Sequence, residues 1–437
     1  MEWYIPFAII LGSLVFLMIL GFPIFIAFTI VNIVGIYFFW GGAEGLMQLS
    51  HTIFSSIANF VLLPVPVFIL MGELIARSGV FTYTIETLDK WIGVIRGRLA
   101  LLGVASATIF AALSGSAQGT TAMLGSILLP EMYKRGYKKY FAVGSCFAGA
   151  LAMIIPPSAF AVILGALAEV SIGKLLIGGI LPGLVLAGCY SVYIIFSVLL
   201  NPDIAHDYSE KKYTWSDKII SFLKYVLPFG SIMFLVTWLI FFGFCTPTES
   251  AVLGTFGSII LILCYRKMSW RVIKESFINT LKITVMMFMI LTGATAFGQL
   301  LAYTGASQGL CNFVVSYNLS PMLTVIIMQI LFLILGCFME QVSILMVTLP
   351  IFMPIIRSLD INALWFVILI LLNMGVAMKS PPFGLTLFVM QGVAPKGTSI
   401  RDIYLGALVF IACDIIGLLV VFFFPKIALF LPSFMKY

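Results

Sequence analysis

The chain has 437 residues, of which 62% are hydrophobic and 9% charged, with a mean hydropathy of +1.16. Soluble domains carry roughly a quarter charged residues, so water cannot solvate this surface and lipid must be its main solvent. The net charge of +7 does not signal nucleic acid, because the basic residues cluster in short loops between apolar runs, as in the cytoplasmic loops of membrane proteins. The seven cysteines fall singly in apolar stretches, without metal or disulfide spacing, and read as small buried hydrophobes.

A spanning helix needs about 20 apolar residues. In chain order the candidate spans are 5–20, 22–39, 55–77, 140–170, 171–200, 219–243, 249–265, 283–303, 362–395 and 403–425. The first has no basic segment before it and flows into the second, so it is expected to be retained rather than cleaved. Two further apolar stretches break in the middle. Residues 99–133 carry Ser114-Gly115-Ser116-Ala117-Gln118-Gly119-Thr120, and residues 321–357 carry Gly336-Cys337-Phe338-Met339-Glu340-Gln341. Each arm is about 14 residues, near 21 Å at helical rise, which is short of a hydrocarbon core of about 30 Å. Both stretches are therefore read as re-entrant hairpins, tolerated at membrane depth where protein or a wet cavity covers them.

Charge sets the orientation. Segments 77–98, 134–139, 201–218, 266–274 and 396–401 hold 17 of the 24 Lys and Arg, whereas 40–54, 244–248 and 304–320 hold none. The first group is cytoplasmic by the positive-inside rule, which puts both termini outside and opens the second hairpin outward.

The chain also resembles itself. Met71-Gly72-Glu73-Leu74-Ile75-Ala76-Arg77-Ser78-Gly79 matches Phe297-Gly298-Gln299-Leu300-Leu301-Ala302-Tyr303-Thr304-Gly305. Ala152-Met153-Ile154-Ile155-Pro156-Pro157 matches Ala377-Met378-Lys379-Ser380-Pro381-Pro382, and Leu129-Pro130 matches Leu349-Pro350. One half holds an odd number of crossings, so the second copy inserts upside down. The expected fold is an all-α polytopic membrane protein of two inverted repeats, the architecture of secondary transporters. The first repeat is 1–200 (hairpin 99–133, broken helix 140–170), the linker 201–218 is cytoplasmic, and the second repeat is 219–437 (hairpin 321–357, broken helix 362–395).

Chemistry concentrates at the breaks. A proline inside a helix removes a donor and frees a carbonyl, so Pro156-Pro157 and Pro381-Pro382 expose oxygens suited to a hard cation such as Na⁺. The first tip adds Ser114, Ser116, Gln118, Thr120 and Thr121, and the second adds Glu340 and Gln341. An ionisable residue inside a membrane is a functional candidate by default. Lys379 is expected to snorkel to water, to contact an anion or to pair with Glu340. Helix N-termini near Thr121 and Gly384 aim partial positive charge at a central carboxylate or sulfonate. His51 and His206 are placed in loops without a role, and Glu249 in an outer loop or at an interface. A membrane aspartyl protease would need two intramembrane aspartates, and Asp414 alone lies clearly within a span. A passive channel gains nothing from paired hairpins.

Taken together, the double hairpin, the Pro-Pro breaks and the Leu-Pro closures resemble the large membrane subunit of tripartite ATP-independent periplasmic (TRAP) transporters, the DctM-like family. The likeness covers nearly the whole chain and is most specific at Ser114–Met132, at Ile154–Ser158 with Gly178–Gly183, and at Pro381–Gln391. It implies a sodium-coupled, elevator-type transporter in a bacterial inner membrane, served by a small four-helix membrane subunit and a periplasmic substrate-binding protein. It also implies two Na⁺ sites. One uses Ser114 and Ser116 with the backbone of Ala152, Ile155 and Pro157; the other uses Gly336 with Ala377, Ser380 and Phe383. The departures from the family are Ala152 for a common glycine, Ser380 for a threonine, and Lys379. A stand-alone Na⁺/dicarboxylate symporter of related fold is the neighbouring alternative.

Overall fold

The computed structural model describes residues 2–92, 95–205, 213–317, 319–382 and 384–435, without the side chains of residues 111–114. Among these residues all regular structure is helical. Bulky apolar side chains cover the outside: Phe38, Phe54, Leu199, Leu200 and Phe244 are all exposed. An apolar surface this extensive belongs against lipid.

Among the described residues six helices are long and apolar enough to cross a membrane, or seven if Trp215–Tyr225 and Leu227–Phe241, bent by 43°, count as one. The sequence leads to ten spans. The difference arises because two of them, Tyr4–Ile19 and Ile24–Phe39, are 16-residue helices and others are interrupted. The expected span 55–77 begins at Pro64, where proline fits the first helical turn. The stretch before it is a separate amphipathic helix, Ala43–Ile57. His51 lies on that helix rather than in a loop, and His206 lies outside the described residues. The expected span 283–303 is the end of a continuous 34-residue helix, Trp270–Tyr303, capped by Ser269. Its charged first turns hid its start from a hydropathy reading. Glu249 completes a capping box with Thr246 at the head of Pro247–Cys264.

The long helix packs on Pro64–Ser78, Ile24–Phe39 and Ala43–Ile57. Asn32 donates to the Gly293 carbonyl at 2.7 Å, and Thr52 donates to Gln299 at 2.6 Å. At its other end Asn279 donates to Glu73 at 2.9 Å, and Arg77 pairs with both Glu73 and Glu275 at 2.8 Å. Glu73 and Gln299 occupy matching places in the two self-similar sequences, and each ties its helix to the other half of the chain.

Both broken stretches reverse direction. Arg98–Ser114 and Ala117–Lys134 pack on each other around Gly115, whose φ of +56° favours glycine. Pro321–Gly336 and Gln341–Ser358 do the same. The arms are 16–18 residues, longer than the sequence suggests and still about 24–27 Å at helical rise. Gln341–Ser358 meets the length and hydropathy of a span, yet most of it is enclosed by protein rather than left to lipid.

Candidate functional site

Each Pro-Pro pair, both in the cis form, interrupts a buried helix. Before the first, Lys139–Cys146 tightens into a 3₁₀ segment, Phe147–Met153; after it, Ala159–Leu167 resumes. Around the second, Ala363–Ala377 stops and Leu385–Val393 resumes. In an unbroken helix the nitrogens of residues 156 and 157 would bond the carbonyls of Ala152 and Met153, and proline supplies no hydrogen for either. The Met153 carbonyl accepts instead from Ser158 Oγ at 3.0 Å. The same substitution recurs at Met378, whose carbonyl accepts from Thr386 N at 3.0 Å and Thr386 Oγ1 at 2.8 Å. Ala152 and Ala377 thus hold the carbonyls that lose their helical donors to Pro156 and Pro381, although Ala377 recovers a tight bond from Ser380 N at 3.2 Å.

The hairpin tips rest on these breaks. A Cβ on Gly115 would stand 3.5 Å from the Pro157 carbonyl oxygen and 3.4 Å from Ala159 N, so the first tip touches its break through backbone. Gly336 lies so close to Ala377 that a Cβ there would overlap the alanine methyl. Gly384 is equally constrained, its would-be Cβ 2.6 Å from the Met378 carbonyl. Among the residues expected to hold Na⁺, the structure brings Gly336, Ala377 and Ser380 together, and sets Ser116 on the tip that meets Pro157. The Ser114 side chain and Phe383 lie outside the described residues.

The hydroxyls at the tips also have structural duties. Ser116 Oγ accepts from Gly119 N at 3.1 Å and caps the second arm. Thr120 Oγ1 donates to the Ser116 carbonyl at 2.8 Å, and Ser380 Oγ to the Val376 carbonyl at 2.9 Å. Thr121 is different. It is fully buried, a Cβ on Gly149 would collide with its hydroxyl, and Oγ1 has no hydrogen-bond partner among the described residues. A buried hydroxyl in that position costs free energy until something bonds it. Gln118 is half-buried and Gln341 buried.

Glu340 has a structural duty of its own, and Lys379 departs from expectation. Glu340 is the N-cap of Gln341–Ser358, its carboxylate accepting from Ser343 N and Ser343 Oγ at 3.3 Å each. A carboxylate is favourable at a helix N-terminus. Lys379 neither snorkels nor pairs with Glu340. Its side chain is 1% exposed, and Nζ lies 2.6 Å from Asp414 Oδ2, whose side chain is 2% exposed. Lys379 Nζ also donates to the Tyr190 hydroxyl at 2.8 Å, and that hydroxyl donates to Asp414. To bind an anion directly, Lys379 would have to leave a carboxylate already neutralising it. Two opposite charges placed within spans are a pairing signal on their own, because neither is tolerated alone at depth; Tyr190 carries no such signal.

The helix ends are sorted by polarity. Arg98–Ser114, Phe147–Met153, Pro321–Gly336 and Ala363–Ala377 bring carbonyl-bearing C-terminal ends to the breaks, while Ala117–Lys134, Ala159–Leu167, Gln341–Ser358 and Leu385–Val393 start there with their N–H ends. Carbonyl ends favour cations and N–H ends favour anions. Ser116, Ser158 and Glu340 cap three of the N-termini, and Gly384 leaves the fourth without a side-chain cap.

An all-helical chain with a lipid-facing apolar surface and interrupted helices at its centre is a multi-pass membrane protein. It belongs to the DctM component family of the tripartite ATP-independent periplasmic transporters, whose model matches residues 11–427. It is 32% identical over 404 residues to the C4-dicarboxylate TRAP transporter large permease protein DctM of Pseudomonas aeruginosa, covering 90% of this chain and 91% of that one. It is 27% identical to the ectoine permease TeaC of Halomonas elongata, over 97% of this chain and 98% of that one. It is also 27% identical to the isethionate permease protein DctMQ of Oleidesulfovibrio alaskensis, over 98% of this chain but 67% of that longer one. The fold is shared with the Alcanivorax borkumensis YdaH transporter (TM-score 0.63, 13% identity, 87% of this chain and 89% of that one). Neisseria gonorrhoeae MtrF is similar again (TM-score 0.64, 12% identity, 91% and 93%). Membership in a permease family agrees with transport, in line with the sequence reading that set a membrane protease aside.

Proposed function

We propose that this chain couples inward movement of Na⁺ to uptake of a small organic carboxylate or sulfonate across a bacterial inner membrane. The observation that carries the reading is the sorting of helix ends, with four C-terminal ends turning carbonyls toward cations and four N-terminal ends, that at Gly384 without a side-chain cap, turning their positive poles toward an anion. Na⁺ would lie between the first tip and the carbonyls of Ala152, Ile155 and Pro157, and between Gly336, Ala377 and Ser380, with Ser114 and Phe383 completing the two sets. Gln118, Thr120, Thr121, Gln341 and Gly384 would face the substrate. Relatives named for C4-dicarboxylate, isethionate and ectoine support the substrate class, since each compound carries a carboxylate or sulfonate.

The chain would work as two inverted repeats in an elevator, hairpins and broken helices moving against a scaffold that includes Pro64–Ser78 and Trp270–Tyr303. Reciprocal ties of Glu73 to Asn279 and of Gln299 to Thr52 support the repeat. A periplasmic binding protein would deliver the anion, and a small four-helix subunit would brace the scaffold; the fused DctMQ relative supports the second partner. The test is uptake of labelled succinate and isethionate by proteoliposomes holding the chain with its small subunit and binding protein. Uptake is expected to need an inward Na⁺ gradient and to rise with more than the first power of Na⁺. Full uptake driven by a proton gradient without Na⁺ overturns the proposal.

A further inference from the structure

A cavity of about 560 Å³ lies beside the second hairpin, away from both breaks. One wall is the hairpin's second arm from Leu345 to Arg357, another is Leu291–Ala302 of the long helix, and Ser55 and Asn59 also line it. At helical rise the arm carries the cavity about 18 Å, from Arg357 to a point one turn short of the tip at Gln341. Thr295, Gln299 and Ser307 add polar groups along the way, and the Ser307 hydroxyl is buried without a hydrogen-bond partner among the described residues.

The cavity's charged lining residues are Arg357 and Glu169. They pair at 2.7 Å with side chains 53% and 72% exposed, and Arg357 also donates to the Ala168 carbonyl at 3.3 Å. An exposed pair of this kind holds together weakly, so a free carboxylate or sulfonate can compete with Glu169 for the guanidinium. A guanidinium also matches the two-oxygen face of such groups better than an ammonium does. Arg357 lies at the end of a hairpin whose preceding segment 304–320 lacks Lys and Arg, so by the positive-inside rule the mouth faces the side from which substrate arrives.

We infer that this cavity is an entry vestibule for the anion, with Arg357 as its receiving group and Glu169 as a built-in competitor. This rests on the proposed uptake of an organic anion, and it names a second place on the chain where that anion binds. The test needs no transport and so can fail independently of the Na⁺ reading. Thr295→Cys places a thiol on the cavity wall, and the complex is labelled with 2-sulfonatoethyl methanethiosulfonate or its trimethylammonium counterpart, with the unsubstituted chain as background. The sulfonate reagent should react about two- to fivefold faster than its intrinsic ratio to the cation allows, as one exposed opposite charge provides. Arg357→Gln should remove that preference, and Glu169→Gln should enlarge it. Equal relative rates in all three backgrounds, or a preference that survives Arg357→Gln, would overturn the vestibule.

Discussion

Ala150 and Gly375 meet at the crossing of the two broken helices, where a Cβ on Gly375 would stand 3.8 Å from both the Ala150 methyl and its carbonyl oxygen. An offset of 225 residues relates Ala150 to Gly375, Pro156 to Pro381 and Pro157 to Pro382. In the proposed inverted repeat, equivalent residues touch each other only on the two-fold axis. In that repeat the breaks would be arranged around this one contact.

That contact has room for a methyl, and the hairpin tip does not. Gly375→Ala should be tolerated, because 3.8 Å is ordinary van der Waals separation. Gly336→Ala should cost about 1–3 kcal/mol, the usual range for overpacking, and should depress Na⁺-dependent uptake as the tip lifts from Ala377. Thermal unfolding of the two variants in detergent compares them directly. Ala377→Gly should rescue Gly336→Ala, and equal melting temperatures for the two alanine variants would contradict the tight approach.

The buried ion pair predicts asymmetric damage. Lys379→Met strands Asp414, and breaking such a pair by removing one partner costs about 3–5 kcal/mol. Lys379→Met combined with Asp414→Leu removes both charges and should recover part of that loss, at the expense of both partners of the Tyr190 hydroxyl. A double-mutant cycle on stability measures the coupling. If Lys379→Met alone is as stable as the parent chain, the pair does not hold the second break.

Ser116 should act twice, as a helix cap and near the first cation set. Ser116→Ala should cost about 0.5–2 kcal/mol through the lost cap and raise the Na⁺ concentration needed for half-maximal uptake, while Ser116→Thr keeps the hydroxyl and most of both functions. A stability loss with an unchanged Na⁺ dependence would leave Ser116 with the capping role alone.

Topology is open to a direct check. Cysteines placed at Arg135 and at Lys267 should react with an impermeant reagent only after the cytoplasmic face is opened, and one at Ser316 should react in intact cells. Labelling of either basic loop from outside would overturn the charge argument.

The parts legible from the sequence are those encoded locally. A polar run inside an apolar stretch marks a tip, and Pro-Pro inside a span marks a break, because each changes backbone bonding at its own position. The Lys379–Asp414–Tyr190 cluster is not local: its members sit on two helices and in the turn at the second break, and hydropathy carries no record of how far apart they lie in the fold. The first turns of Trp270–Tyr303 were hidden for the opposite reason, since Arg271, Lys274 and Glu275 look like a loop until the helix is seen to extend to them. The cavity beside Arg357 had no signal in the chain, because it is a gap between elements distant in sequence.

The second arm of each hairpin leans on the broken helix of the other half: Ala117–Lys134 lies against Leu385–Val393, and Gln341–Ser358 against Ala159–Leu167. The contact of Gly125 with Val393 and Met390 is one such seam. During synthesis the first hairpin therefore emerges about 250 residues ahead of the segment that covers it, a wait of roughly 10–50 s at ordinary elongation rates. Through that interval the Gly125 face of the second arm stays in the insertion machinery or among lipids without its final neighbours. Two separately expressed halves, cut in the stretch between Leu200 and Trp215, should each be degraded alone and accumulate only when made together.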